Sequence, residues 1–159
     1  MKIGIIGPNN VFGADADQRK VLLDKVAKII TANHKEIVLT PDKNSPLEYF
    51  GIKYTELGGK KIWLIVPTEE LDYKEYLNIE LGQIISCKTW DNQANEFNKQ
   101  SDIIICVGFS WGAIKEIACT QHCKNKKVYI LTEFISQKLP EELNFLVNYI
   151  TIENLVDII

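Results

Sequence analysis

The sequence predicts an α/β fold in which helices cover both faces of a parallel sheet, within a single domain over residues 1–159. Apolar stretches without alternation, typical of strands buried on both faces of a sheet, recur along the chain. Most are followed by a turn and then by a segment with helical character. Alternating strands and helices give a parallel sheet with right-handed crossovers. A length of 159 residues suits one domain with a substantial core.

The first part of the chain contains three predicted strands and two predicted helices. The strands cover residues 2–6, 36–39 and 61–66, and the helices cover residues 15–32 and 47–57. The first helix is indicated by apolar residues at helical spacing, and the second is ended by Gly58 and Gly59. Residues 7–10 and 40–46 have the composition of a turn and a loop.

The second part continues the alternation after a polar stretch at 68–82, which we expect to be partly helical. The predicted strands cover residues 83–87, 102–107, 128–131 and 149–152. The predicted helices cover residues 90–99, a segment after residue 112 that carries Glu116, 140–147 and 153–159. Pro140 suits the first turn of its helix, where a backbone N–H is not needed.

The segment 101–119 is the most informative part of the chain. A buried strand leads into a glycine loop, Gly108 to Gly112, and then into the helix of Glu116. Such a loop leaves backbone N–H groups pointing outward at a helix N-terminus, where an anion such as a phosphate binds well. Glu116 lies about one turn into the helix, so its carboxyl group can face the same crevice. The segment therefore predicts a nucleotide or phosphate site with one acid beside the ligand.

We expect the loops after Ile6, Leu39 and Val107 to converge, because ligands of parallel α/β sheets lie beyond the carboxyl ends of the strands at the topological switch point. Glu116 is the candidate catalytic or ribose-contacting acid. The predicted ligand-binding residues are Gly7, Pro8, Asn9, Asp42, Gly108, Phe109, Ser110, Trp111, Gly112 and Ala113.

Several residues of these loops also have a purely structural interpretation. Glu116 is favoured near a helix N-terminus by the helix dipole alone. The two loop glycines suit any tight turn, and Ser110 suits a helix cap. Trp111 can stack on a base, lie at a dimer contact or pack on a neighbouring helix. Lys43, in the loop after the second strand, is either an anion ligand or solvated.

Composition and charge argue against several classes of partner. The formal net charge is -3, and Arg19 is the single arginine, so we expect no nucleic-acid partner. No apolar stretch approaches the length of a membrane span, so we expect no membrane partner. The chain enters a strand immediately, which predicts that it has no signal peptide. Its cysteines, which form no Cys-x-x-Cys pair, indicate reduced thiols in a cytoplasmic protein.

Metal and dinucleotide chemistry are also not indicated. The four cysteines form no Cys-x-x-Cys pair, and we interpret them as reduced thiols. Cys119, His122 and Cys123 share one helix face, but a single turn of helix cannot surround a zinc ion. No complete Gly-x-Gly-x-x-Gly follows the first strand. We therefore expect neither a metal nor a resident cofactor.

The stretch 108–116, led by Ser101 and Asp102, resembles a motif of a known Rossmann-like superfamily. This superfamily includes the LOG proteins, once labelled "lysine decarboxylase-like", and molybdenum-cofactor carrier proteins, and its motif is Pro-Gly-Gly-x-Gly-Thr-x-x-Glu. Gly112 and Glu116 match the motif. Phe109 and Ser110 stand in place of the paired glycines, and Ala113 in place of the threonine. The opening 4–7 and the segment 47–67 are also similar.

The resemblance implies a Rossmann-like fold and, for active members, hydrolysis of the N-glycosidic bond of a nucleoside monophosphate. That reaction needs a carboxylate near the anomeric carbon, which Glu116 would supply, and cations for the phosphate. The arginine of the family is missing, and Gln93 falls near its place.

The leading hypothesis is therefore a protein that binds a nucleotide or another small phosphorylated ligand with weak or lost catalysis. The alternatives are an active hydrolase or transferase that depends on Glu116, and a carrier of an anionic pterin cofactor. By analogy with the family we also expect a homo-oligomer.

Overall fold

A parallel seven-stranded sheet forms the centre of the protein. The computed structural model describes residues 1–9, 15–123 and 126–159. Its strands are β1 (Lys2–Ile6), β2 (Glu36–Leu39), β3 (Ile62–Val66), β4 (Gln83–Ser86), β5 (Ile103–Cys106), β6 (Lys127–Leu131) and β7 (Val147–Ile150). They lie side by side in the order β4-β3-β2-β1-β5-β6-β7, and every described pairing within the sheet is parallel.

Helices connect the strands. They are α1 (Ala16–Ala32), α2 (Pro46–Glu56), α3 (Tyr73–Tyr76), α4 (Gln93–Gln100), α5 (Trp111–Cys119) and α6 (Glu141–Asn144). Short 3-10 turns cover Trp90–Asn92, Thr120–His122, Thr132–Phe134 and Glu153–Asp157. No helix in these described ranges combines the length and the apolar character that crossing a membrane requires.

The central strands of the sheet are buried on both faces because most of their residues are apolar. Ile3 and Ile5 of β1 belong to one core cluster with residues of α1 and α2, whereas Ile6 belongs to another with residues of α4 and α5. Successive side chains of a strand point to opposite faces, so an unbroken apolar strand fills both layers. The predicted α/β class, with a parallel sheet between helices, is confirmed.

The strand order creates a switch point between β1 and β5. From β1 the chain proceeds outward through β2 to β4, then returns to β5 on the other side. Ile6 pairs with Cys106, so β1 and β5 end at the same level of the sheet. The loops that follow these two strands therefore start side by side, as the sequence predicts.

Gly4 lets α4 approach the middle of the sheet. A Cβ atom at Gly4 would lie 2.4 Å from Ser101 Oγ and 2.8 Å from Phe97 Cε1. Real Cβ atoms do not approach other atoms so closely, and thus the absence of a side chain on β1 makes room for the Phe97 ring. This contact fixes how closely α4, whose first residue is Gln93, packs on the sheet.

The C-terminal third differs from the prediction. The helix predicted at 140–147 is a single turn, and Val147 already belongs to β7, where it pairs with Val128. The Tyr149 hydroxyl accepts a hydrogen bond from the Leu139 N–H (2.9 Å) and donates one to Asn144 Oδ1 (2.7 Å). Pairing with β6 and this hydroxyl bridge override the local helical pattern. The predicted strand 149–152 accordingly begins two residues earlier.

Two other segments contain less regular helix than their predicted ranges allow. The polar stretch 68–82 holds only the single turn of α3, and the predicted terminal helix 153–159 is a 3-10 turn. Of the predicted turn 7–10, Asn10 lies outside the described residues.

Candidate functional site

A cavity of about 200 Å³ opens at the carboxyl ends of β1, β2 and β5. Seven of the predicted site residues line it: Gly7, Asn9, Asp42, Ser110, Gly112, Ala113 and Glu116. The remaining lining residues are Ile5, Thr40, Leu47, Trp90, Gln93 and Lys115. The structure thus brings the three predicted loops together around one space.

Glu116 is buried in this cavity, with 7% of its surface exposed. Its Oε1 accepts a hydrogen bond from Gln93 Nε2 at 2.8 Å, and the same amide donates to Thr40 Oγ1 at 2.8 Å. Three separate elements, α5, α4 and the end of β2, therefore hold the carboxyl group in one orientation. Such a buried polar network is rigid because each group has a partner.

The backbone of α5 is tied to α4 at the same level. Asn98 Nδ2 donates to the carbonyl of Glu116 at 2.9 Å and to the carbonyl of Ala94 at 3.0 Å. Asn98 is itself buried, so these bonds form away from competing water. Hydrogen bonds from α4 therefore hold both the main chain and the side chain of Glu116 in place.

Burial raises the pKa of Glu116 to about 8. The hydrogen bond from Gln93 opposes this change, and the negative charge of Asp42 adds to it. Burial likewise raises the pKa of Asp42 to about 6. At neutral pH the Glu116 carboxyl group is therefore mostly protonated and can donate a hydrogen bond to a ligand.

Ser110 joins the two loops and caps α5. Its Oγ accepts a hydrogen bond from the Ala113 N–H at 3.1 Å and donates one to the carbonyl of Gly7 at 2.9 Å. The structural interpretation of Ser110 as a helix cap therefore holds. The N–H groups of Trp111 and Gly112, in the first turn of α5, have no carbonyl within the helix to bond.

Gly108 has two reasons to be glycine. Its φ is +122°, which residues with a side chain rarely adopt. A Cβ atom there would also lie 2.9 Å from Arg19 Nη1 and 3.1 Å from Pro8 Cδ. Gly108 does not line the cavity of Glu116, but it places Pro8 and Arg19 against the beginning of the loop.

We expect Gly108→Ala to lower the free energy of unfolding by about 1 to 3 kcal/mol, because the new methyl group combines backbone strain with a steric clash. Gly112→Ala is the matched control. A Cβ atom there meets only Ser110 Oγ, at 3.7 Å, and the residue lies inside a helix. This variant should be neutral or up to about 1 kcal/mol more stable. Urea denaturation measures both, and equal losses would contradict the prediction.

Two predicted ligand-binding aromatic residues lie outside the cavity lining. Phe109 is half-buried and packs against the core cluster shared by α4 and α5. Trp111 is 88% exposed at the first position of α5. Pro8 is also absent from the lining, although it lies near Gly108. The sequence could not separate these residues from the lining because all three lie in the expected loops.

Sequence reasoning missed Thr40, Trp90 and Lys115, and identified Gln93 only through the family resemblance. Thr40 directly follows β2, so its place at a strand end was the available signal. Lys43, considered as an anion ligand, lies elsewhere. It donates a hydrogen bond to the Lys74 carbonyl at 2.7 Å and lines a different cavity.

No protein-family model matches the chain, and no curated protein matches it. Solved structures do. The chain is similar to the molybdenum cofactor binding protein of the phototrophic bacterium Rippkaea orientalis (14% identity, TM-score 0.73, 99% of this chain and 93% of that one). It is also similar to the molybdenum cofactor carrier protein of Chlamydomonas reinhardtii (17% identity, TM-score 0.73, 99% and 94%). At these identities the similarities confirm the predicted Rossmann-like fold.

A third similar structure corrects one prediction. DNA processing protein A of Helicobacter pylori, which binds single-stranded DNA, matches with 16% identity and a TM-score of 0.65 over 99% of this chain and 79% of that one. The exclusion of nucleic acid as a partner is therefore wrong, because the same fold occurs in a protein that binds it. Net charge and arginine count describe the whole chain, whereas binding depends on local charge.

Proposed function

We propose that this protein binds a small phosphorylated ligand in the cavity of Glu116, with weak or no catalysis. The observation that carries this proposal is the buried, hydrogen-bonded Glu116 at the switch point of the sheet, next to the N-terminal end of α5. Ligands of parallel α/β sheets bind in this place. A rigid polar group in a cavity open to small molecules is suited to recognition.

The cavity has two chemically different sides. Asp42 and the protonated Glu116 form a side that suits hydroxyl and amino groups of a ligand. The other side offers the N–H groups at the beginning of α5, and Lys115 lines the same space as an exposed cation. A ligand with a sugar or ring beside the two acids and an anionic group that extends past the beginning of α5 matches this arrangement.

The protonation of Glu116 is the reason to expect weak catalysis. Cleavage of an N-glycosidic bond develops positive charge on the sugar, which an ionised carboxylate stabilises and a neutral acid does not. Asp42 has the lower pKa of the two acids, but its charge opposes ionisation of Glu116. Arginine is absent from the lining of this cavity. These features favour binding over turnover.

Two ligand classes deserve comparison. The resemblance favours a nucleoside monophosphate. The similar structures favour a phosphorylated pterin, since the proteins of Rippkaea orientalis and Chlamydomonas reinhardtii, which match over nearly their whole lengths, are described by their molybdenum cofactor. In both classes a polar ring system is linked to a phosphate, so both fit the two-sided cavity.

Calorimetric titration with nucleoside monophosphates, ribose 5-phosphate and phosphorylated pterins tests the proposal. We expect one class to bind and to raise the melting temperature, by about 2.7 kcal/mol of stabilisation at a ligand concentration one hundred times Kd. Glu116→Leu should weaken this binding about tenfold or more, because the hydrogen bond of the acid is lost. Glu142→Gln, at an exposed position, is the control. Absence of binding by every compound would refute the proposal.

Base release from the nucleoside monophosphates separates binding from hydrolysis. Wild-type protein should release no more free base than a blank over hours at pH 7. Fast release that Glu116→Gln abolishes would instead establish the hydrolase alternative, with Glu116 as its essential carboxyl group.

A further inference from the structure

We propose that Arg19 binds the anionic group of the ligand, in a second cavity on the opposite side of the Gly108 loop from Glu116. The inference rests on the proposed function for the identity of the ligand, but its test also works with inorganic phosphate alone. Arg19 is the single arginine of the sequence. In the sequence it lies within α1, and no motif singles it out.

Within the described part of the chain, Nη1 of the Arg19 guanidinium group has no hydrogen-bond acceptor. This atom is buried, and Arg19 forms no ion pair with any residue of the described ranges. A buried donor without an acceptor costs about 1 to 3 kcal/mol, and more when the group is charged. Such a group needs an explanation, and an ion or ligand that supplies the missing acceptor is one of the recognised explanations.

The position of Arg19 connects it to the candidate site. A Cβ atom at Gly108 would nearly touch both Nη1 of Arg19 and the ring of Pro8. Gly108 begins the loop that continues through Ser110 into α5, and Ser110 lines the cavity of Glu116. The guanidinium group therefore lies beside the first residue of the loop, Gly108, whereas Glu116 lies in the helix that follows the loop.

A second cavity of about 280 Å³ lies on the side of Arg19. Its lining residues are Asp15, Gln18, Arg19, Leu22, Glu133, Phe134, Ile135 and Ser136. Neither of the two carboxylates that line this cavity forms an ion pair with Arg19. Glu133 accepts hydrogen bonds from the Ile152 N–H (2.8 Å) and from Thr132 Oγ1 (3.3 Å). Asp15 is exposed, so water and salt screen its charge.

The chemistry of the cavity favours an oxyanion. A guanidinium group presents planar donors that match phosphate or carboxylate oxygens in pairs. Gln18 and Ser136 offer neutral hydrogen-bonding groups beside it. A phosphate placed here, with the rest of the ligand reaching over the loop, leaves the acidic side around Glu116 to the uncharged groups. This arrangement avoids placing the phosphate next to Asp42.

Nuclear magnetic resonance gives a direct test because a chain with one arginine has one Nε–Hε side-chain resonance. Titration of the wild-type protein with inorganic phosphate should shift this resonance in a saturable manner. Calorimetry should then show that AMP or ribose 5-phosphate binds more tightly than adenosine or ribose, provided that the proposed function holds.

Substitutions at the cavity should weaken or tighten phosphate binding according to the charge that they remove. We expect Arg19→Met to weaken phosphate binding about 10- to 100-fold and Arg19→Lys to weaken it less, because lysine keeps the charge but not the paired donors. Asp15→Asn should tighten binding about two- to fivefold. Asp15 makes no capping hydrogen bond through its side chain, so this change spares α1. Lys43→Met, at a separate cavity, should leave binding unchanged.

The outcomes separate this inference from the proposed function. If a phosphorylated compound binds and Arg19→Met binds it equally well, the inference is wrong and the proposed function remains. If no nucleotide or pterin binds but inorganic phosphate shifts the arginine resonance, the inference holds and the proposed function fails. An arginine resonance that phosphate leaves in place, with unchanged affinities in both Arg19 variants, would overturn the inference even if Arg19→Met is unstable.

Discussion

The free energy of unfolding should fall as the pH rises from 5 to 8, and Glu116→Gln should remove most of that fall. The reason is the burial of Glu116, which raises the pKa of its carboxyl group to about 8 from an ordinary value of 4.5. The unfolded chain releases this proton near its ordinary pKa, whereas the folded protein retains it. Between these two values the native state binds more protons than the unfolded state.

The sign follows from proton linkage. Stability decreases with pH wherever the native state holds the extra proton, so the contribution of Glu116 is complete below about pH 4.5 and is lost as the pH approaches 8. The full loss is on the order of 5 kcal/mol, since each pH unit between the two pKa values contributes about 1.4 kcal/mol. Glutamine is neutral at every pH and can still accept the hydrogen bond of Gln93, so the variant should stay folded.

Urea denaturation at intervals of half a pH unit measures this effect. Below pH 6 Asp42, whose pKa burial raises to about 6, contributes a decrease of the same sign, so the interval from 6 to 8 isolates Glu116. Asp42→Asn is the second variant. It should lower the pKa of Glu116 and shift the decrease to lower pH, because it removes a neighbouring negative charge. Parallel profiles for wild type and Glu116→Gln would show that Glu116 is ionised in the folded protein.

Phe97→Ala should lower the free energy of unfolding by about 3 to 5 kcal/mol, the range for removal of a buried aromatic ring. Phe97 is completely buried in the layer between the sheet and helices α4 and α5. Its ring occupies the space that a side chain at position 4 would take. Because residue 4 is glycine, it has no side chain to fill the cavity that the substitution leaves. Phe145→Ala is a matched control, because 75% of that ring is exposed, and it should change stability by less than about 0.5 kcal/mol.

The same variant also tests whether core packing maintains the site. Phe97 shares its cluster with Ala113 and Ile117 of α5, the helix that carries Glu116. Loosening this layer should admit water and lower the pKa of Glu116 toward its ordinary value, since burial is the main cause of the increase. Carbon-13 titration of the Glu116 carboxyl group follows this change. A stability loss below about 1 kcal/mol, or equal losses at Phe97 and Phe145, would contradict the assigned packing.

The alternation of buried strands with helices was sufficient to predict the fold class. Unbroken apolar strands such as β1 and β5 have few alternatives to burial on both faces, and two such strands joined through helices must lie parallel. The errors occur where tertiary contacts outweigh local preference. Val147 lies in a strand because β6 offers it a pairing edge, which no local pattern around 140–147 indicates.

The sequence by itself determined the fold class and the end of the sheet where the loops after Ile6, Leu39 and Val107 meet, because parallel strands place their carboxyl ends at one edge of the sheet. Only the tertiary structure decided which side chains share the site. Gln93 reaches Glu116 and Thr40 across long sequence separations, and Arg19 comes to rest beside Gly108. Burial likewise sets the protonation of Glu116. Distances and dielectric environment arise from packing between distant segments, which residue types and spacing alone do not encode.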